Sequence, residues 1–270
     1  MCPTFFEIFR FFYGITRVFP ENCYLCDMKS FLRIMHKFKK VVTVIMLTAV
    51  MCLVAGCKKD NGGNGNYNGH DYVDLGLPSG TLWATCNVGA TTPEGYGDYF
   101  AWGETTPKNT YYSDNYKHAD ILYDNIFLTK YCNDSGHGYN GFTDNLTVLE
   151  PGDDAASANW GDGWCMPSVD QWRELMDGTL AVWTTQNGVE GRLFTALNGN
   201  TLFLPAAGVR ENFNLYNAGN AGRYWSSSLA TDYSTWFARI FSFHSDNYNI
   251  GKVNRVHGMS VRAVHSKCKN

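Results

Sequence analysis

Carboxylates, histidines and a serine run are the groups in this 270-residue chain that could do chemistry, and their spacing argues against most of it. Asp134, Asp144, Glu150, Asp153 and Asp154 crowd one stretch. Calcium takes six to eight oxygens, often from a single acidic loop. These five do not follow EF-hand spacing. The stretch reads as a solvated acidic loop, with calcium as the alternative, and no cofactor is expected. His118, His137, His244, His257 and His265 include no H-E-x-x-H pair, so a zinc protease has no support. Neither a G-x-S-x-G elbow nor a G-x-x-x-x-G-K phosphate loop is present. Tyr224-Trp225-Ser226-Ser227-Ser228 is serine-rich, but the sequence places no base beside it. It reads as a strand with a buried Trp and exposed Ser. No catalytic residue is assigned, and the chain is not expected to be an enzyme.

Recognition fits the residue types better. Tyr233, Trp236, Arg239, His244, Asp246, Tyr248, Asn254 and His257 lie in or beside the C-terminal loops. Tyr, Trp and Arg supply most binding hot spots because they combine large area with directed polar contacts. Aromatic faces also stack on sugar rings. The expected ligand is therefore a protein or a glycan. Between Trp236 and Phe243 alternate side chains would point to opposite faces of a strand. Trp236, Ala238 and Ile240 fall on one face, and Phe237, Arg239, Phe241 and Phe243 on the other. Both faces carry apolar groups, so the pattern does not say which is buried. Trp225 reads as core, and Trp236 as either core or contact.

The elements that must position these residues begin late in the chain. Met35-His36-Lys37-Phe38-Lys39-Lys40 is basic, and the run from Val41 to Val54 is apolar apart from Thr43 and Thr48. Small residues follow at Ala55-Gly56. A basic region, an apolar run and a small-residue cut site make a secretory signal over 35–56. The run falls short of the roughly 20 apolar residues that a membrane span needs. Leu53-Val54-Ala55-Gly56-Cys57 resembles the lipobox of bacterial lipoproteins. That resemblance implies that Cys57 is lipidated and becomes the first residue of the mature chain. Residues 1–34 read as a misassigned N-terminal extension, with Met35 as the start.

Of the 22 Lys plus Arg and 25 Asp plus Glu, seven and three precede Cys57, which leaves a net charge of −7 from there on. That balance argues against nucleic acid, which needs a basic surface. Residues 57–70 form the lipidated Cys and a Gly/Asn linker, 71–265 one domain, and 266–270 a tail. Cys86, Cys132, Cys165 and Cys268 allow three disulfide pairings, and the sequence does not choose among them. Within the domain, Tyr72–Leu77 and Thr81–Val88 read as a hairpin around Pro78-Ser79-Gly80. Gly95–Gly103 reads as an aromatic strand, and Glu104–Pro151 as long surface loops. Ser168 and Gln171 form a capping box for a helix burying Trp172, Leu175 and Met176. Glu190–Leu204 reads as strands turning at Asn198-Gly199. Tyr224–Ser228, Trp236–Phe243 and Gly258–Val264 read as three strands of one sheet.

Several blocks together resemble a known family. They are Asp74-Leu75-Gly76-Leu77-Pro78-Ser79-Gly80 with Leu82-Trp83-Ala84, Tyr99-Phe100-Ala101-Trp102-Gly103-Glu104, and Gly163-Trp164-Cys165-Met166-Pro167-Ser168. Leu204-Pro205-Ala206-Ala207-Gly208, Tyr224-Trp225-Ser226-Ser227-Ser228 and Gly258-Met259-Ser260-Val261-Arg262-Ala263-Val264 complete the set. Their order and spacing resemble the Fibrobacter succinogenes major paralogous domain, which is similar to the C-type-lectin fold. The resemblance implies an α+β fold of small antiparallel sheets, one or two helices and long ligand-bearing loops. It also implies an outer-membrane lipoprotein of the cell envelope, facing the periplasm or the exterior. Many relatives carry Arg or His where Cys165 stands, so a family disulfide there is not carried over. The Glu-Pro-Asn sugar signature of calcium-dependent lectins is absent, since Glu150-Pro151-Gly152 departs from it. The tail from Tyr224 to Val264 also resembles the variable region of proteins diversified by retroelements. The expected function is a non-catalytic lipoprotein, tethered to the membrane by its lipid, that binds a protein or glycan. The alternatives are a structural or adhesive envelope component and, last, a modifying enzyme like the formylglycine-generating enzymes. That last resemblance needs a cysteine pair near the C-terminal strands, where Cys268 stands alone.

Overall fold

Pro78-Ser79-Gly80 turns β2 (His70–Asp74) back onto β3 (Leu82–Asn87), pairing Tyr72 with Ala84 and Val73 with Trp83 as the sequence leads one to expect. The computed structural model describes residues 64–265. The 35–56 signal, Cys57 and the 266–270 tail lie outside them. Over the described residues the fold is mixed α+β, mostly small antiparallel sheets with two short α-helices.

Its first strand, β1 (Gly65–Tyr67), lies inside the stretch read as linker. Asn68 and Gly69, both at positive φ (50° and 82°), make the two-residue turn that returns β1 onto β2. Aromatic contacts then fix both strands: Tyr67 stacks on His265 at 4.0 Å and His70 on Trp160 at 3.8 Å. The full sheet runs β1-β2-β3-β15-β6, with β6 at Trp164–Cys165 and β15 at Arg262–His265.

Ser168 caps the helix Val169–Gly178 through the expected box with Gln171. Trp172 and Leu175 are buried, and Met176 packs at the margin. Ahead of it, Asp154 caps a six-residue helix, Ala155–Trp160, that the sequence reading missed. These are α2 and α1. The expected strands around Asn198-Gly199 are β8 (Val189–Ala196) and β9 (Thr201–Pro205), and β7 (Thr179–Gln186) joins them in the order β7-β8-β9.

The C-terminal sheet differs from expectation. It is β12 (Gly222–Leu229), β13 (Phe237–Phe243) and β14 (Tyr248–Asn254), while the expected third strand leaves for the β3 sheet as β15. Arg262 explains the departure. Its buried guanidinium donates to Asn87 Oδ1 and to the carbonyls of Ala84 and Thr85, which holds the chain against β3. Gly258–Ser260 keeps only isolated bridges, Gly258 to Arg210, Met259 to Phe100 and Ser260 to Tyr224. The aromatic stretch 95–103 likewise makes a single bridge instead of a strand.

Residues 104–151 are not the surface loops their polarity suggested. Tyr111, Tyr116, Leu128 and Cys132 are buried with Tyr99 and Val256 in a third hydrophobic cluster. The tyrosines can be buried because their hydroxyls find carbonyls: Tyr116 donates to Trp102 O at 2.6 Å, and Tyr111 to Tyr99 O. The segment also forms a hairpin, β4 (Ala119–Leu122) with β5 (Asn125–Leu128). A smaller hairpin, β10 (Val209–Glu211) with β11 (Asn214–Tyr216), bridges to Tyr111 through Asn212.

Candidate functional site

Alternation along β13 leaves one end of a sheet face open. Ala238 and Ile240 pack with Trp225, Phe100 and Met259 in the first cluster. On the other face Phe241 and Phe243 lie under α2 and β8: Trp172 stacks on Phe241 at 4.8 Å, and Phe194 meets its edge at 6.0 Å. Both faces are therefore buried, which is why the pattern did not choose. Phe237 and Arg239 share the second face but lie beyond that cover and are half-exposed.

Their cross-strand neighbours complete a ledge. Register sets Arg239 opposite Lys252 and Phe237 opposite Asn254. Tyr233, 58% exposed, meets Phe237 edge-on at 4.8 Å, and Lys252 Nζ sits 4.1 Å from the Tyr233 ring centroid. Arg239 pairs with Asp232, whose carboxyl this hydrogen bond holds below the ordinary range. Beside the ledge, Trp236 and Asn254 line an open hollow of about 460 Å³ with Ser113, Asp124, Asn125 and Ile126. Trp236 serves both readings: it is half-buried against the third cluster, with Arg255 5.8 Å from its ring, and it forms part of this wall. Exposed Ile121 and Tyr123 extend the hairpin beyond the hollow.

The eight sequence-predicted contacts do not form one site. Tyr233, Trp236, Arg239 and Asn254 gather at one end of β13–β14. His244 and Asp246 are exposed in the turn at the other end, beside half-buried Tyr248. Arg192 fixes that turn by donating to the carbonyls of His244, Ser245 and Asn247, with its guanidinium 4.8 Å from the Tyr248 ring. His257 stands apart: its Nδ1 is 3.7 Å from Glu211, and burial pushes its pKa down. Lys252, Phe237 and Asp232 were missed. Lys252 could have been found only by recognising β14 and its register.

The acidic stretch spends its carboxylates on the protein itself. Asp144 accepts from the backbone of Tyr131, Cys132 and Leu146, and Asp134 from Gly136 N and His137. Asp154 accepts from the backbone of Ala156, Ser157 and Met166, and burial still raises its carboxyl to about 6. Asp153 takes Lys117 at 2.7 Å, Lys130 at 2.6 Å and the Tyr131 hydroxyl at 2.9 Å. Burial alone would raise the Asp153 carboxyl, but these hydrogen bonds outweigh it and hold it at about 2. Glu150 pairs with Lys130. Among the described residues no three His, Cys, Asp or Glu side chains converge on a metal position.

A larger groove, about 1230 Å³, runs past Ser79, Thr81, Val148, Glu174 and Ser228. The Ser79 hydroxyl is held between Thr81 and Glu174. Cys86 and Cys132 are not joined by a disulfide, and the buried Cys132 thiol donates to Asp134 O at 3.1 Å. Cys165 lies on β6 opposite Val264. Pairings that involve Cys268 fall outside the described residues.

Fold and site together define an α+β domain of small antiparallel sheets that displays an aromatic and cationic ledge. No protein-family model matches the chain, and no significant match to a curated protein or a solved structure is found.

Proposed function

We propose that this chain is a non-catalytic recognition lipoprotein of the cell envelope. Its C-type-lectin-like domain binds a protein or glycan through the Tyr233–Arg239 ledge and the adjoining hollow. Cys57 carries the lipid that tethers it to the outer membrane. The small antiparallel sheets, two helices and long loops are consistent with that family of folds. The observation that carries the reading is the ledge itself. Tyr233, Phe237, Arg239 and Lys252 stand at the uncovered end of a sheet whose remaining side chains on that face are packed. A rigid backing lowers the ordering cost of binding, and the residue types are those that dominate hot spots.

The test is binding of the purified chain to an array of defined glycans and to intact cells of other bacteria, comparing wild type with Tyr233→Ala/Arg239→Ala. Losing one hot-spot contact costs about 2 kcal/mol or more, which is roughly 30-fold in affinity. Specific binding that collapses in the double variant, with an unchanged melting curve, supports the site. Binding indifferent to both changes removes it. Lipidation is read separately, by incorporation of labelled palmitate that Cys57→Ser should abolish.

A further inference from the structure

We infer that β7 is an association edge through which two copies of this chain pair antiparallel, joining their β7-β8-β9 sheets into one. The inference does not depend on the proposed function.

β7 stands at the end of its sheet, and all eight of its residues pair with β8 without a bulge. Beyond that ladder, the only hydrogen bond to its backbone among the described residues is a long one, from Arg192 Nη1 to Ala181 O at 3.5 Å. Its other edge therefore presents unpaired N–H and C=O groups. Proteins usually protect such an edge with charge, proline, a bulge or short length. Thr179-Leu180-Ala181-Val182-Trp183-Thr184-Thr185-Gln186 has none of these.

The other edges in the described structure are protected. β1 has three residues, β6 two, and the strands of the β4–β5 and β10–β11 hairpins no more than four. The outer side of β12 is taken by Leu149 N donating to Ser227 O and Leu229 N donating to Thr147 O. β14 carries exposed Lys252 and Asn249, and β9 is nearly all buried and ends in Pro205. β7 alone is long, uncharged and open.

A second copy suits this edge better than a foreign strand does. In a two-fold pairing every charge would lie near its own duplicate; β7 itself carries none, and the guanidinium nearest its edge, Arg192, is held by the carbonyls of His244, Ser245 and Asn247. Leu180 and Val182 project on the face away from the core, 68% and 49% exposed, while Ala181 and Trp183 pack inward. A two-fold axis through Ala181, perpendicular to the sheet, sets Leu180 opposite Val182 of the other copy, twice over. Each exposed apolar side chain then covers another, and the interface closes as a dimer.

Directly opposed residues have Cβ atoms about 5 Å apart. In cells expressing two differently tagged copies of the full chain, Leu180→Cys in one and Val182→Cys in the other should be joined by a short bismaleimide. Copies carrying Tyr123→Cys, on the remote β4–β5 turn, should remain at the background of the wild-type pair. In sedimentation, the purified chain should be dimeric at concentrations on the order of 100 µM. Val182→Lys, which sets like charges across the two-fold, should weaken association by at least ~10-fold with unchanged melting. A monomeric wild type overturns the inference. So does dimerisation indifferent to Val182→Lys, or 180–182 crosslinking no greater than background.

Discussion

Asp153→Asn tests the most charged interior contact in the domain. The carboxylate is 5% exposed and accepts from two lysines and a tyrosine hydroxyl at once. Holding it at about 2 instead of its ordinary 3.8 corresponds to roughly 2.4 kcal/mol at neutral pH, at about 1.36 kcal/mol per factor of ten in proton affinity. Lys117 is half in solvent and Lys130 keeps Glu150, so screening reduces the Coulombic part. Against that, an amide leaves Tyr131 and one ammonium imperfectly matched in a buried place, which adds to the cost. The two corrections oppose, and the expected loss of unfolding free energy at pH 7 is about 2 kcal/mol. The sign with pH follows from the lowered value. The stabilisation is complete above the unfolded carboxyl's pKa, near 4, and is lost as pH falls through about 2. Urea denaturation of wild type and variant from about pH 7 down to about pH 2 should show the gap between them closing across that window. A gap below about 0.5 kcal/mol at pH 7, or one that stays constant down to pH 2, would refute the reasoning.

Asp154→Ala removes three backbone acceptor contacts at the start of α1, and thermal or urea unfolding should show a loss of about 2 kcal/mol. Because its folded carboxyl is raised to about 6, the wild type should also lose part of its stability as pH rises from about 4 through 6, the opposite slope to Asp153. Gly97→Ala should cost about 3 kcal/mol in the same assay, since Gly97 has φ 69° and a Cβ there would lie 2.3 Å from Val88 O. Trp236→Ala should lower the melting temperature through lost packing on the third cluster, whereas Tyr233→Ala should leave it within about 2 °C, in keeping with its exposure. Adding chelator or calcium should not move the melting curve, because the acidic side chains are committed to protein donors.

Several local signals were legible where one turn or cap decided the outcome, although the Asp154 cap of the six-residue α1 was not. Ser168 with Gln171 gave α2, Pro78-Ser79-Gly80 gave the first hairpin, and Asn198-Gly199 the turn between β8 and β9. What escaped was set by distant partners. Asn68-Gly69 is a hairpin turn only because Tyr67 and His70 find His265 and Trp160 almost a hundred residues or more away. The tyrosines between 104 and 151 read as surface because a hydroxyl looks polar until a carbonyl such as Trp102 O is brought to it. Arg262 carried no sign in the sequence that its guanidinium would be buried and redirect the last strand.

The candidate site shows the same division more sharply. Residue types alone selected Tyr233, Trp236 and Arg239, but types do not say where a sheet face stops being covered. That depends on α2 and β8 reaching Phe241 and Phe243 and ending before Arg239. Had the cover extended four residues further along β13, Arg239 and Phe237 would be core and Lys252 would face a buried cation. A charged pair opposite one another, Arg239 and Lys252, is tolerable only at an open end where solvent and Asp232 screen it. The cross-strand cation pair therefore marks the end of the sheet that the protein leaves uncovered, and substituting either cation by an apolar residue there would remove a repulsion that only solvent and Asp232 now relieve.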